Sequence, residues 1–409
     1  MTQKLNKNGF TYLVLAQTTS DLGNWFYTAA LSAMVFIITQ SSLALSFTII
    51  FSLLPSAIFS FVGGGLSDRF NAKKTLILMD AIRAVSILFV LFFNSPSTLY
   101  VVYIVAFINS ICGALHTISK NVIIQRLYKG EKLRKIISKL RMYYELTVIF
   151  GSMFGGMILA FLGFYIVVII NSASFIIALF FVLLIKFETS KEGTTVEEED
   201  ISFIQMQKQG FRYIFSNRIL KEIAVYKVFY TIAGGILNVL PAIIALDRFD
   251  FGENGVGFIF ASIGVGSIVG AWLTGRIKAK EYCNKYMVYG AIIFTVGFAI
   301  LMLAPNFYIA LVAIGIVGGV SIFLQTYIEG SYMVITDEKY VGRVSGTFLF
   351  ITYGGITISL SVLGAILGKH FRLTLLICIA IILIPNIIYA LGKVFNKRSK
   401  GEVILKNEL

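Results

Sequence analysis

The chain is poor in charge: Asp, Glu, Lys and Arg together make up 14% of its 409 residues, well below the usual share of about 25%. Its three cysteines, Cys112, Cys283 and Cys378, have neither metal-ligand nor redox spacing and read as packing residues. There is no Walker loop, no dinucleotide fingerprint, no cluster of metal ligands and no Ser–His–Asp arrangement outside the apolar runs. These absences argue against an enzyme, a metal site, a cofactor and a direct use of ATP. Acids are scarcer than bases, 21 against 35, for a net charge of +14. A nucleic-acid binder would need a soluble basic face with base-reading or stacking elements, and none is visible.

What is present is apolar surface. Hydrophobic residues make up 57% of the chain, enough for about twelve spans of about 20 residues each. The runs fall near residues 12–39, 43–66, 75–93, 99–121, 142–162 and 165–186, and then near 221–246, 255–275, 286–304, 307–332, 346–367 and 373–392. The first run is long enough to span and so is expected to stay in place of a cleaved leader. With both ends of the chain inside, only Arg248, Lys369 and Arg372 fall outside, while the loop expected after the fourth run, Arg126–Arg141, alone carries seven bases. The positive-inside rule therefore places both termini in the cytoplasm and explains the net charge by topology. The reading is an all-α membrane protein of twelve helices in two halves, 1–186 and 221–409, joined by a linker at 187–220.

The linker opens acidic (Glu188, Glu192, Glu197, Glu198, Glu199, Asp200) and then turns amphipathic, with Phe203, Ile204, Met206, Phe211, Ile214 and Phe215 at near-helical spacing. That predicts a helix lying on the membrane surface. The halves look like a repeat: Gly64 and Gly270, like Gly113 and Gly319, stand 206 residues apart. Gly270-Ala-Trp-Leu-Thr-Gly-Arg276 echoes Gly64-Gly-Leu-Ser-Asp-Arg69-Phe-Asn71-Ala-Lys73-Lys74, with Thr274 where the first copy has Asp68. Glycines there let helix backbones approach closely. Asp68 is placed to accept hydrogen bonds from a helix N-terminus. Arg69, Lys73 and Lys74 are expected to face an anionic leaflet, and Asn71 to take a left-handed turn.

Ionisable residues inside spans are expensive and usually mark a pathway or a paired structural site. Asp21 lies about 13 Å along the first helix, at 1.5 Å per residue. Lys227 stands 206 residues further on. The two are read as an energy-coupling pair, with a static ion pair, or a span boundary that leaves Asp21 at the surface, as the alternatives. Glu145 is the second choice for a proton site. Asp80 and Arg83, three apart, most simply pair with each other. Lys120 and Glu329 lie near span ends where snorkelling is easy. His116 is read either as a titrating group or as a hydrogen-bonding packing residue.

The Gly64–Lys74 segment resembles the signature loop between helices 2 and 3 of major facilitator superfamily transporters, through Gly64, Asp68, Arg69, Lys73 and Lys74, with Asn71 replacing the middle glycine. Gly151, Ser152, Gly155 and Gly156 resemble the superfamily's antiporter motif, with Ser152 in place of its proline. Ser20–Trp25, Asp80–Ala84 and Val341–Ser345 resemble the macrolide-efflux branch, which includes siderophore exporters and belongs among drug:proton antiporters. The resemblance implies two pseudo-symmetric six-helix bundles and a proton-driven exporter of amphipathic small molecules, acting in multidrug efflux as a monomer in the bacterial cytoplasmic membrane. A siderophore-like metabolite and a flipped lipid are the alternative substrates. It also implies that Asp68 latches the halves beneath the start of helix 11, near Ser345 and Gly346. The cavity would be lined by helices 1, 4, 7, 10 and 11, through Trp25, Tyr27, His116, Phe229, Tyr230, Phe323, Tyr327 and Tyr353. The arginine common in helix 4 of such exporters is replaced by Asn109.

Overall fold

In a lipid core each backbone N–H and C=O must be satisfied within the chain, so apolar runs of this length become helices. The computed structural model describes residues 9–69, 71–185, 203–277, 285–367 and 370–388. The first half contains α1 (Gly9–Thr39), α2 (Ser42–Arg69), α3 (Ala72–Leu88), α4 (Leu99–Leu127), α5 (Gly130–Leu162) and α6 (Phe164–Leu184). A short helix α7 (Phe203–Ser216) follows, then α8 (Arg218–Gly234), α9 (Gly252–Arg276), α10 (Lys285–Leu303), α11 (Phe307–Ile335), α12 (Val341–Ile358) and α13 (Phe371–Ile388). Nine of these are long and apolar enough to cross a membrane among the described residues. Besides the short α7, the three that fall short are α2, α5 with its basic first turns, and α8. With them the chain has the twelve helices of two six-helix bundles, α1–α6 and α8–α13.

Local chemistry sets the helix ends. Asn71 caps α3, its side chain accepting from Lys73 N at 3.0 Å and Lys74 N at 3.3 Å. Its φ of −63° is extended backbone, so the left-handed turn expected there is corrected: a cap satisfies two otherwise orphan N–H groups. Asn217 caps α8 in the same way, accepting from Ile219 N and Leu220 N. Gly163, at φ +82°, makes the turn between α5 and α6, where a side chain would be strained. The basic stretch from Arg126 to Arg141 is not a loop. It forms the end of α4, a two-residue break at Tyr128 and Lys129, and the first turns of α5.

Two helices of the second half depart from α geometry where they touch. Past Gly234, α8 continues as a 3-10 turn (Gly235–Asn238) and later a π turn (Ile243–Arg248), while α12 runs into a π turn at Ser359–Leu363. A methyl group on Gly235 would stand 2.6 Å from Ser359 Cβ, so only glycine lets the two irregular segments meet. The halves pack through α2 against α12, α5 against α9 and α11, and α4 against α12.

Candidate functional site

Apart from Arg134 and Arg343, the buried charges among the described residues fall into two groups that no ion pair joins. On α3, Asp80 is 0% exposed. Its Oδ1 lies 3.8 Å from Arg83 Nη1 and 3.6 Å from His116 Nε2 on α4. Arg83 also lies over the Phe175 ring of α6 at 4.1 Å. Asp21 on α1 faces the same nest: its charged neighbours are Lys120, His116 and Arg83, and Gln17 hydrogen-bonds to it from one turn before. Its Oδ2 is buried without a hydrogen-bond partner. The second group lies between the halves. Arg141 pairs with Glu145 at 2.7 Å, and the charges nearest the buried Lys227 are Glu329 and Arg141.

Asp21 and Lys227 are therefore not an ion pair in this structure, contrary to the expectation drawn from their matching places in the repeat. Each is held by helices of its own neighbourhood. Glu145, the second choice as a proton site, is tied to an arginine one turn away. Asp80 and Arg83 do share a face, as their spacing implies, but His116 joins them. Asp21, Asp80, Glu145 and Glu329 balance Arg83, Lys120, Arg141 and Lys227, which suits a core that tolerates charge only when compensated.

Motif residues find physical roles where their side chains are described. A methyl on Gly155 would stand 2.8 Å from Phe26 Cα, and one on Gly151 would collide with Trp25 Cβ. These glycines let α1 lie directly on α5, and Trp25 fills that seam, its ring 6.5 Å from Tyr144. Lys73 does not face a leaflet: its Nζ donates to Leu183 O at 3.1 Å and Ile185 O at 2.6 Å, capping the last carbonyls of α6. Lys74 is exposed. The side chains at 62–70, with Gly64, Asp68 and Arg69, lie outside the described residues, as do those at Ser152 and Gly156, so the Asp68 latch falls there too.

Of the aromatics expected in a cavity, several are structural. Tyr230 donates to Ser321 O at 2.5 Å. Tyr327 is fully buried, with Phe323 stacked on it at 6.2 Å and Arg134 over its ring at 5.0 Å. Tyr27 packs among Ala30, Leu31 and Val35, its hydroxyl buried without a partner. Phe229 is half-buried. Tyr353 faces both charge groups, with Arg83, Asp21, Glu329 and Arg141 around it, as does Tyr144, beside Arg141, Asp21 and Glu145.

The end of the bundle carrying the α4–α5 junction is closed by contacts that spacing arguments missed. Gln125 donates to Thr336 O at 2.7 Å, Arg134 to Ser331 Oγ at 3.3 Å, Ser138 to Ala271 O, and Lys129 pairs with Glu338. Arg134, Ser138, Arg141 and Glu145 lie three and four apart on one face of α5. That signal was readable once the stretch is taken as helix. α7 belongs to the same closure. Gln207, 0% exposed, donates to Thr347 Oγ1 at 2.6 Å and Arg343 O at 3.2 Å. Tyr213 stacks on Tyr340 at 4.5 Å and donates to Asp337 at 3.1 Å, and burial pushes its phenol up. Phe211 meets Phe61 of α2 at 5.7 Å. So the amphipathic helix seats its inner face on both halves and not on lipid, because paired polar groups as well as apolar ones line it.

Twelve helices in two six-helix bundles, packed through α2–α12 and α5–α9 around buried compensated charge, define a major facilitator transporter. The chain belongs to the family described as transmembrane secretion effector, which matches residues 3–403. It is similar to macrolide efflux protein A of Streptococcus pyogenes, 25% identical over 370 residues, covering 86% of this chain and 89% of that one. A shorter match joins it to the enterobactin exporter EntS of Escherichia coli O1:K1 / APEC, 21% identical over 38% of this chain and 37% of the other. Among solved structures the human organic anion transporter MFSD10 (TETRAN) has the same fold, with a TM-score of 0.74 at 12% identity over 93% of this chain and 98% of that one.

Proposed function

We propose that this transporter exports amphipathic, drug-like small molecules in exchange for protons. The observation that carries the reading is Asp21: a carboxylate deep in α1, one oxygen buried without a hydrogen bond, in a nest whose cations balance it. A group in that setting exchanges a proton whenever its surroundings change, as they do on alternating access. One proton moved through 100 mV supplies about 2.3 kcal/mol, or about a 50-fold gradient. Membership of a secretion family and the likeness to a macrolide efflux protein support outward transport of such molecules. The shorter likeness to an enterobactin exporter supports a second reading, an endogenous metabolite as cargo.

A lipid flippase is less well supported. The sideways-facing groove of about 690 Å³ between α3 and α4 is lined by Ile82, Val85, Phe89, Ile104 and their neighbours. It suits an acyl chain but brings no charged side chain for a headgroup. We place the closed end of the bundle, rich in Lys and Arg, on the cytoplasmic side of a bacterial membrane, with both termini there. The structure then corresponds to an outward-facing state.

Two measurements test this. Inverted vesicles should accumulate radiolabelled erythromycin when a pH gradient is imposed, and Asp21→Asn should abolish that accumulation while downhill movement continues. Full active transport by Asp21→Asn would overturn the role of Asp21. A reporter fused after Lys400 should be active only inside the cell; activity outside would overturn the topology.

A further inference from the structure

Asp80 is the most completely buried acid among the described residues, 0% exposed, and neither of its oxygens receives a hydrogen bond. Its nearest basic atoms stand off: His116 Nε2 at 3.6 Å and Arg83 Nη1 at 3.8 Å. A charge-assisted N–H···O bond closes to about 2.7–2.9 Å, so there is room for contraction and a reason for it. Around the pair, α1 contributes Asp21, α3 contributes Arg83, and α4 contributes Cys112 and Lys120. α6 offers Phe175, Ser172 and Asn171; α2 presents no titratable side chain as far as Phe61; α12 contributes Tyr353. With His116 neutral, Asp21 and Asp80 balance Arg83 and Lys120. One added proton has a single basic nitrogen to occupy.

We propose that His116 and Asp80 form the site that stores the transported proton, with Asp21 as its partner at the cavity. The inference rests on the antiport reading above and deepens it. The proton adds to the Nε2 lone pair of His116 while Nδ1 keeps its own hydrogen, and it leaves from the same atom. The imidazolium so formed donates toward Asp80 Oδ1, drawing α4 and α3 together. Arg83, released from part of its claim on Asp80, turns its charge toward Asp21. Since α1, α3 and α4 belong to one half, the store stays intact as the halves rock. Tyr353 on α12, which faces Arg83 and Asp21, is the group through which the other half reads its state. His116 is then neither a packing residue nor a lone titrating group but a histidine whose proton is held by a buried acid one helix away.

The chain has two histidines, and His370 is exposed, with its backbone alone in hydrogen bonds. His370→Gln with ¹⁵N-labelled histidine in lipid nanodiscs therefore reports His116 by itself, with no need for a known cargo. The expected result is passage from imidazole to imidazolium as the pH is lowered, with the imidazolium-to-imidazole ratio at pH 6.5 lowered at least tenfold by Asp80→Asn. Lys120→Gln, which removes a cation one turn away, should raise that ratio, and it serves if Asp80→Asn does not fold. A ratio constant from pH 5 to 9, or unmoved by both variants, overturns the proposal. In inverted vesicles His116→Gln should lose erythromycin accumulation driven by pH. If wild type shows no pH-driven accumulation, the antiport reading itself fails. If wild type does and His116→Gln matches it, only the storage site fails.

Discussion

α2 and α4 in the first half and α9 and α11 in the second occupy matching places in the repeat, yet they are joined differently. Between α2 and α4 the seam is knitted by serine: Ser56 N donates to Ser110 Oγ at 2.9 Å, Ser56 Oγ to Ser110 O at 2.8 Å, and Ser110 Oγ to Ser52 O at 2.8 Å. Between α9 and α11 it is made by contact of bare backbone. Gly266 lies on Gly315 O and Gly270 on Gly319 O, so that a methyl on either would overlap a carbonyl. One device is shared: Ser262, 206 residues after Ser56, also donates across its seam, to Leu311 O at 2.8 Å. Serine hydrogen bonds hold the first seam through side chains, while glycine contact brings the two backbones of the second together directly. The repeat preserved the helix partners and not the chemistry of their contact.

The comparison can be broken first at its glycines. Gly270→Ala should cost about 3 kcal/mol, the upper end of ordinary overpacking, because a carbonyl on a packed helix cannot yield. Gly113→Ala, which meets nothing within 4 Å, should be neutral or stabilise by about 0.5–1 kcal/mol through helix propensity. Unfolding in micelles measures both, and equal effects would remove the distinction. Next come the serines. Ser110→Ala should cost about 1–2 kcal/mol by removing bonds on both sides of its hydroxyl, and Ser262→Ala about 0.6 kcal/mol, the usual worth of one interhelical bond in a membrane. A larger loss at Ser262 would mean that the second seam depends on its hydroxyl more than on its glycines. The smallest effect tests whether Asp21 and Lys227 belong to separate charge groups. Asp21→Asn and Lys227→Gln should combine in stability to within about 0.5 kcal/mol of additivity, as sites without shared partners do. A double variant markedly better than Lys227→Gln alone would restore direct pairing.

Much of the fold was legible because lipid imposes simple rules. Hydropathy located the spans, and the spacing of Asp80 and Arg83 their common face. What misled was charge read as loop. Arg134 and Arg141 sit on α5, where two sides of a helix meet different neighbours, and a run of bases does not say whether water or another helix receives them. The repeat misled in a second way. It aligned Asp21 with Lys227, but alignment matches places along two chains and not directions across a cavity. α7 shows the same limit, since an apolar face is equally suited to lipid and to protein until its neighbours are known.

The sequence by itself determined a membrane protein of twelve helices with a basic end and buried charges that must be compensated, because insertion into hydrocarbon depends on composition over each run of about 20 residues. Which charge compensates which was decided only by the tertiary structure. His116 meets Asp80, Lys73 caps α6, and Asp21 and Lys227 stay apart, because such contacts reach a few ångströms between helices whose relative rotation no single run encodes.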